Sequence, residues 1–282
     1  MACGLPEKAV KEIVARALAE DIGPGDATTL ATVDPGARCR AEIVAKAAGV
    51  IAGLPVAELT FRALDPGISF ERVAGDGRRV EPGAVLARLA GSSRAVLTAE
   101  RTALNFLQRM SGIATLTAQY VAAVQGTKAR IADTRKTAPG LRLLDKCAVR
   151  VGGGLNHRIG LFDGILVKDN HIRAAGGLAQ AVARARKSAH HLLKVEVEAQ
   201  SIAQVEQALA AGAEVIMLDN LALEDVRKAV ALIAGRAKTE ASGGVNLDNV
   251  RALADCGVDY ISVGALTHSA PALDISLETS PE

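Results

Sequence analysis

LLKVEVE (192–198), EVIMLDN (214–220), KTEASGG (238–244) and YISVGA (260–265) decide the fold. Most of these runs are apolar and of strand length, each ends in polar or glycine residues, and helix-length segments separate them. Their ends, Glu198, Asp219, Ser242 and Gly264, follow at intervals of 21, 23 and 22 residues, one βα step each. IADTRKT (131–137) and GILVKDNH (164–171) show the same pattern earlier in the chain. A βαβ order makes the strands parallel, and in a parallel barrel their C-terminal ends converge on one rim, where catalytic groups gather. Six strands are fewer than the eight of a full barrel, so the barrel is predicted to be irregular or to hide a strand near 151–160.

Towards the N-terminus, Leu97 to about Tyr120 reads as a helix with Leu104, Leu107 and Ile113 on one face and Arg101 in its first turn. Residues 38–90 read as a small antiparallel β region, with period-two alternation followed by frequent glycine and proline turns. Val10, Ile13, Val14, Ala17 and Leu18 mark an opening amphipathic helix that Gly23, Pro24 and Gly25 stop. The expected division is an N-terminal domain over 1–112 and a βα-repeat domain over 113–282.

The chain has 282 residues, 33 Lys and Arg against 31 Asp and Glu, and a formal net charge of +2. That balance argues against an electrostatically driven nucleic-acid or membrane binder, and the absence of Trp with only 2 Tyr and 4 Phe leaves no stacking platform for single strands. Cys3, Cys39, Cys147 and Cys256 show no C-x-x-C spacing and read as reduced thiols of a cytoplasmic protein. Glu7, Lys8, Lys11, Glu12 and Glu20 interrupt the first twenty residues as no signal-peptide core would allow, and no apolar run reaches membrane-spanning length.

Three constellations fall at the strand ends. Glu198 and Asp219 are carboxylates at neighbouring ends. They could hold Mg²⁺ through a diphosphate and water, stabilise a developing cation, or merely cap the next helix. By strand parity Lys194, Glu196 and Glu198 share one face, and Lys194 and Glu196 are expected in an internal ion network with Lys238 or Glu240. Arg135, Lys136, His157, Arg158 and Lys168 form a basic set that implies a ligand with several negative charges, since Arg reads carboxylate and phosphate bidentately and Lys supplies a point charge. ASGG (241–244) and SVGA (262–265), with Ser242, Gly243, Gly264 and His268, lie at the last two strands, where barrel enzymes often bind phosphate. His190 and His191 read as exposed.

Taken in order, TRKTAPGLR (134–142), VGGGLNHRIGLFDGILVKDNH (151–171), KVEVE (194–198), MLDN (217–220), ASGGV (241–245) and YISVGALTHSAPALDISL (260–277) closely resemble the quinolinate phosphoribosyltransferase family. ALAEDIGPGD (17–26) and LTAERTALNFLQRMSGIAT (97–115) extend the likeness nearly end to end. The resemblance implies an α/β protein, with an N-terminal α/β-sandwich domain followed by an irregular, TIM-like α/β barrel. It implies transfer of the phosphoribosyl group of 5-phosphoribosyl 1-diphosphate to quinolinate with decarboxylation, using Mg²⁺, in NAD biosynthesis. It further implies a homodimer in which one subunit's N-terminal domain completes its neighbour's pocket, with dimer against hexamer left open.

By that likeness Arg101, Arg135, Lys136, His157, Arg158 and Lys168 surround the quinolinate carboxylates, and Glu198 and Asp219 face the ribose and a metal-bound diphosphate. Ser242, Gly243, Gly264 and His268 hold the 5-phosphate. Lys136, Glu198 and Asp219 are the catalytic candidates, with Lys136 nearest the departing carboxylate. Two other readings stand beside this one: a paralogous phosphoribosyltransferase with a different acceptor, and a non-catalytic sensor of phosphoribosyl ligands. A third, an unrelated phosphosugar isomerase, does not require the basic rim.

Overall fold

The computed structural model describes residues 4–282; Cys3 lies outside them. The chain opens with α1 (Glu7–Ile22), which buries Val10, Ile13, Val14 and Leu18 and ends at Gly23 with φ of 52°. A further short helix, α2 (Ala27–Thr32), follows because the Asp26 carboxylate accepts the Thr29 N–H as an N-cap. Next come β1 (Arg38–Ala45), β2 (Gly49–Val50), α3 (Leu54–Leu64), β3 (Ser69–Arg72), β4 (Arg79–Val80), β5 (Val85–Ser92) and α4 (Ser93–Ala123).

Two expectations need correction here. The region read as β throughout contains α3, in which Leu54, Pro55, Val56 and Ala57 are consecutive buried residues. Such a helix start shows no polar stripe, and Pro55 in its first turn reads from sequence as a turn although proline is well tolerated there. The long helix begins at Ser93 rather than Leu97, where the Ser92 hydroxyl accepts the Ala95 N–H at 3.5 Å, so Arg101 sits in its third turn and not its first.

The remaining elements are β6 (Arg130–Ala132), α5 (Arg142–Val151), β7 (Ile165–Val167), α6 (Asp169–Ala175), α7 (Leu178–Ser188), β8 (Val195–Ala199) and α8 (Ile202–Ala210). They are followed by β9 (Val215–Asp219), α9 (Leu223–Ile233), β10 (Lys238–Ser242), α10 (Val250–Asp255), β11 (Tyr260–Ser262), α11 (Ala265–His268) and β12 (Ile275–Pro281).

The chain forms two compact units that interleave along the sequence. The first takes residues up to Ala118 with Ala138–Gly153 and Ser269–Glu282, and the second takes Gln119–Thr137 with Gly154–His268. Residues 112 and 113 lie inside α4, which runs through them without a break.

In the first unit an antiparallel sheet is ordered β12-β1-β5-β3. Cys39, Ala41 and Ile43 of β1 turn to the core while Arg38 and Arg40 turn to solvent, the alternation of a strand with one covered face. Ile43 and Leu86 of the sheet share a core with Phe61 of α3 and Leu104 and Leu107 of α4, which makes this unit an α/β sandwich. Asp145 of α5 is fully buried and is satisfied by a bidentate Arg109 guanidinium at 2.8–2.9 Å and by the Ala138 N–H at 3.1 Å.

The second unit is the βα-repeat body. Its six strands form one parallel sheet, ordered β6-β11-β10-β9-β8-β7, with α7, α8, α9 and α10 packed beside it as an irregular, TIM-like barrel. The strand suspected near 151–160 is reduced to one residue. Leu155 donates to the Ile131 carbonyl at 2.8 Å and accepts from the Asp133 N–H at 3.0 Å, a single parallel bridge beside β6. It cannot lengthen, because Gly153 at φ of 90° precedes it and the Asp133 carboxylate captures the Asn156 amide and the His157 N–H just after it.

Within the first unit, a Cβ on Gly112 would collide with the Pro271 carbonyl oxygen, backbone against helix. Gly112→Ala is therefore expected to cost on the order of 2–3 kcal/mol of stability. An unchanged denaturation midpoint would show that this close approach does not exist.

Candidate active site

Strand parity builds the site. The inward residues come in pairs two apart, the first deeper and the second at the C-terminal rim: Leu166 and Lys168, Met217 and Asp219, Glu240 and Ser242, Ser262 and Gly264. They line one cavity of about 650 Å³. Of the twelve sequence-selected residues, eleven line it: Arg135, Lys136, His157, Arg158, Lys168, Glu198, Asp219, Ser242, Gly243, Gly264 and His268. Arg101 belongs to the first unit, exposed on α4.

The basic wall comes from the turns after β6 and Leu155 and from the end of β7. Lys136 is fixed through its backbone: its N–H donates to the Thr134 hydroxyl at 3.1 Å, and its carbonyl accepts the Thr267 hydroxyl at 2.8 Å. The Arg158 guanidinium donates to the Gly164 carbonyl at 3.1 Å, and burial, then the neighbouring Arg135 charge, holds its pKa below the usual arginine range. It remains a cation. Arg135 Nε is buried without a protein partner. Two guanidiniums side by side, one with an unfilled donor, form a site for an anion.

Across the cavity stand the two rim carboxylates. Glu198 lies 3.5 Å from Lys168 Nζ, and burial first, with Asp219 as a lesser contribution, raises its pKa against the pull of Lys168. Asp219 Oδ2 accepts Gln200 Nε2 at 3.2 Å. The helix-cap alternative for Asp219 fails, because the N-cap of α9 is Ala222.

On the third side, Ser242 ends β10 and is followed by Gly243 and Gly244 with φ of 93° and 61°. Both lie in the left-handed region that glycine enters without penalty. Gly264 is hemmed in: a Cβ there would sit 3.1 Å from His268 Nε2 and 3.1 Å from Lys136 Cδ. Gly264 therefore lets the Lys136 and His268 side chains close on the same corner.

The floor departs from the sequence expectation. Lys194 and Lys238 are exposed, and Lys238 pairs with Asp259 at 3.1 Å, so neither belongs to an internal network. The cation supposed there is replaced by an imidazole. His157 Nε2 lies 3.0 Å from Glu196 Oε2 and 3.7 Å from Glu240 Oε1, with both carboxylates buried. His157 Nδ1 accepts the Arg158 N–H at 2.8 Å, so the ring proton is on Nε2 and points at Glu196. His157 thus enters the site held between the Glu196 carboxylate and the Arg158 N–H.

These three residues also have ligand atoms within 4.8 Å of one another. A metal-binding Nε2 would need Nδ1 as a donor, the reverse of what is found. The floor is hydrogen-bonded, and the oxygen-only pair Glu198 and Asp219 is the better seat for a hard cation. Below the floor a second cavity of about 580 Å³ opens among Lys194, Val215, Lys238 and Tyr260 at the strand N-termini and shares His157, Arg158 and Glu240 with the first.

Asn220 and Thr134 line the cavity without a sequence signal that singles them out, and Glu240, expected as a partner in the internal network, lines it as well. Parity places Glu240 on the same inward face as Ser242, two residues before it. Asn220 carried no signal beyond its place after Asp219.

Residues 26–111 match the family described as "Quinolinate phosphoribosyl transferase, N-terminal domain", and residues 113–278 match the corresponding C-terminal domain. A probable nicotinate-nucleotide pyrophosphorylase (carboxylating) of Bacillus subtilis is 45% identical over 271 residues, 96% of this chain and 93% of its own. The chloroplastic nicotinate-nucleotide pyrophosphorylase (carboxylating) of Arabidopsis thaliana is 45% identical over 300 residues, covering 98% and 84%. Among solved structures, NadC from Streptococcus pyogenes superposes with a TM-score of 0.95 at 43% identity over 100% of both chains.

Burial, and then the Glu196 charge, push the Glu240 carboxyl up to about 7 from an ordinary 4.5. Between those values the folded chain keeps a proton that the unfolded chain has lost, so Glu240's contribution to stability falls as pH rises through this window and is fully unfavourable above 7. Glu240→Gln removes the titration. Its stability advantage over the wild type is expected to grow by roughly 2–3 kcal/mol from pH 4.5 to 8 in chemical denaturation. An advantage independent of pH would contradict this.

Proposed function

The chain belongs to the quinolinate phosphoribosyltransferase family, and we propose that the cavity at the C-terminal rim of its barrel is where its reaction takes place. The enzyme transfers the phosphoribosyl group of 5-phosphoribosyl 1-diphosphate to quinolinate and releases diphosphate and carbon dioxide, leaving nicotinate mononucleotide for NAD biosynthesis. One observation supports the location above the rest: four cations, two rim carboxylates above the buried Glu240 and a glycine-rich turn line a single cavity on a chain whose net charge is only +2.

In this reading Arg135, Arg158, Lys168 and Lys136 take the two ring carboxylates of quinolinate. A charge pair at 4 Å is worth about 1 kcal/mol in water and about 4 at an effective dielectric of 20, so the recessed position of Arg135 and Arg158 strengthens each contact. Ser242, Gly243, Gly264 and His268 take the 5-phosphate. Glu198 and Asp219 face the ribose, where a carboxylate pair stabilises the oxocarbenium-like charge that develops as the diphosphate departs. Their oxygen donors, one of them with a pKa raised by burial, fit Mg²⁺ held through diphosphate and water. That ion would supply charge neutralisation of the leaving diphosphate. Positioning and electrostatics then suffice, with no covalent enzyme intermediate.

After transfer the ring nitrogen is cationic and stabilises the carbanion left when the adjacent carboxylate departs as carbon dioxide, and a proton from solvent then completes the C–H bond of nicotinate mononucleotide. Lys136, fixed at both its backbone N–H and its carbonyl, is the residue we assign to that carboxylate. Arg101 is exposed on α4 and forms no ion pair among the described residues, which suits a group supplied to the pocket of a second copy in a homodimer. No helix among the described residues is long and apolar enough to cross a membrane, and Cys39 and Cys256 are buried thiols. Both agree with a cytoplasmic enzyme.

The purified protein is expected to release carbon dioxide and nicotinate mononucleotide in equal amounts from quinolinate, and nothing from nicotinate, with chelation of Mg²⁺ abolishing turnover. Lys136→Ala should lower kcat by about 100-fold or more. Turnover with another acceptor, or near-normal turnover of Lys136→Ala, would overturn the acceptor assignment and the role of Lys136 respectively.

A further inference from the structure

Asn220 stands one residue beyond Asp219 with φ of 54°. The only other non-glycine residue at positive φ among the described residues is Ala234, the C-cap of α9, a position where the left-handed conformation is routine. Asn220 caps nothing, since the N-cap of the following helix is Ala222. Glycine would adopt this backbone more readily than asparagine. Asparagine enters this region more readily than other non-glycine residues, so the case for Asn220 rests on what its side chain meets.

Its backbone serves the sheet. The Asn220 N–H donates to the Ser242 carbonyl at 2.9 Å, one step beyond the Asp219–Ser242 register pair. Its side chain lies over Gly243: a Cβ on that glycine would collide with Asn220 Oδ1 and Cγ and sit 2.6 Å from Nδ2. The carboxamide lines the cavity, and no hydrogen bond among the described residues engages its Oδ1 or Nδ2. It therefore presents a neutral donor and a neutral acceptor between Asp219, which can only accept, and the Ser242–Gly243 turn.

We propose that Asn220 is a substrate-binding residue for the phosphoribosyl half of the cosubstrate, its carboxamide hydrogen-bonding where sugar hydroxyls give way to phosphoryl oxygen. This rests on the reading of the cavity given above. A carboxamide suits that junction because it can donate to phosphoryl oxygen and accept from a hydroxyl. An aspartate here would add a third carboxylate beside Glu198 and Asp219 and repel phosphate, whereas a lysine would be drawn to Asp219.

Asn220→Gly separates the side chain from the backbone, because it retains the left-handed conformation and the N–H while deleting the carboxamide. The expected result is a KM for 5-phosphoribosyl 1-diphosphate raised about tenfold, the loss of one or two neutral hydrogen bonds, with the KM for quinolinate within twofold of wild type and the melting temperature preserved. Calorimetric titration with 5-phosphoribosyl 1-diphosphate and Mg²⁺ should show the same weakening without turnover. Asn220→Asp should weaken binding further. A wild-type KM for the cosubstrate in Asn220→Gly, or an equal rise in both KM values with a lowered melting temperature, would reduce Asn220 to a structural residue. Failure of the wild type itself to bind 5-phosphoribosyl 1-diphosphate would instead strike the cavity assignment.

Discussion

Two-residue alternation is the constraint on which the site depends. A strand in a parallel barrel turns one face to the helices and the other to the interior, so inward positions recur every second residue. The last inward residue of each strand reaches the rim, and the one before it forms the floor. Leu166, Met217 and Ser262 are floor positions beneath Lys168, Asp219 and Gly264, and Glu240 lies beneath Ser242. Polarity thus rises within a single step along β7 and β9, from Leu166 to Lys168 and from Met217 to Asp219. That gradient allows a well-packed body to end in a charged cavity.

The floor shows what the constraint costs. Glu196 and Glu240 are inward on adjacent sides of β9 and too deep for bulk water, so their charges require partners from the protein. One is the His157 Nε2–H, which the Arg158 N–H fixes by occupying Nδ1. The other is a proton, which the raised Glu240 carboxyl retains up to about pH 7. A floor partly neutralised in this way repels an anionic ligand less than two bare carboxylates would. The chain that delivers His157 is itself held by Asp133, fully buried at the end of β6, so the imidazole, Arg158 and the one-residue strand at Leu155 are a single arrangement.

Much of this was legible in the sequence because the strand ends carry both fold and chemistry. The six apolar runs, their parallel order and the polar residues closing them are visible without coordinates, since a strand of one βα unit needs no distant partner to be recognised. What escaped depends on three-dimensional neighbours. The helix Leu54–Leu64 opens with four successive buried residues and shows no 3.6-residue stripe there. Lys194 and Lys238 share parity with inward residues but lie at strand starts, where the side chain reaches solvent at the opposite mouth. The partner they were expected to provide comes from His157, some forty residues away from Glu196 in sequence and unrelated to it by any spacing.

Glycine illustrates the same limit from the other side. As sequence signals, Gly243 and Gly264 are weak, because glycine marks turns everywhere. In the structure each is small for a specific reason: Gly243 yields its side-chain volume to the Asn220 carboxamide, and Gly264 yields its own to His268 and Lys136. The glycines of this rim therefore report the positions of cavity-lining side chains that share no local motif with them. A substitution at either would act by displacing those side chains, and Gly243 would in addition be forced into a backbone conformation that L-residues avoid. Conformation and packing coincide at Gly243, and packing alone decides at Gly264.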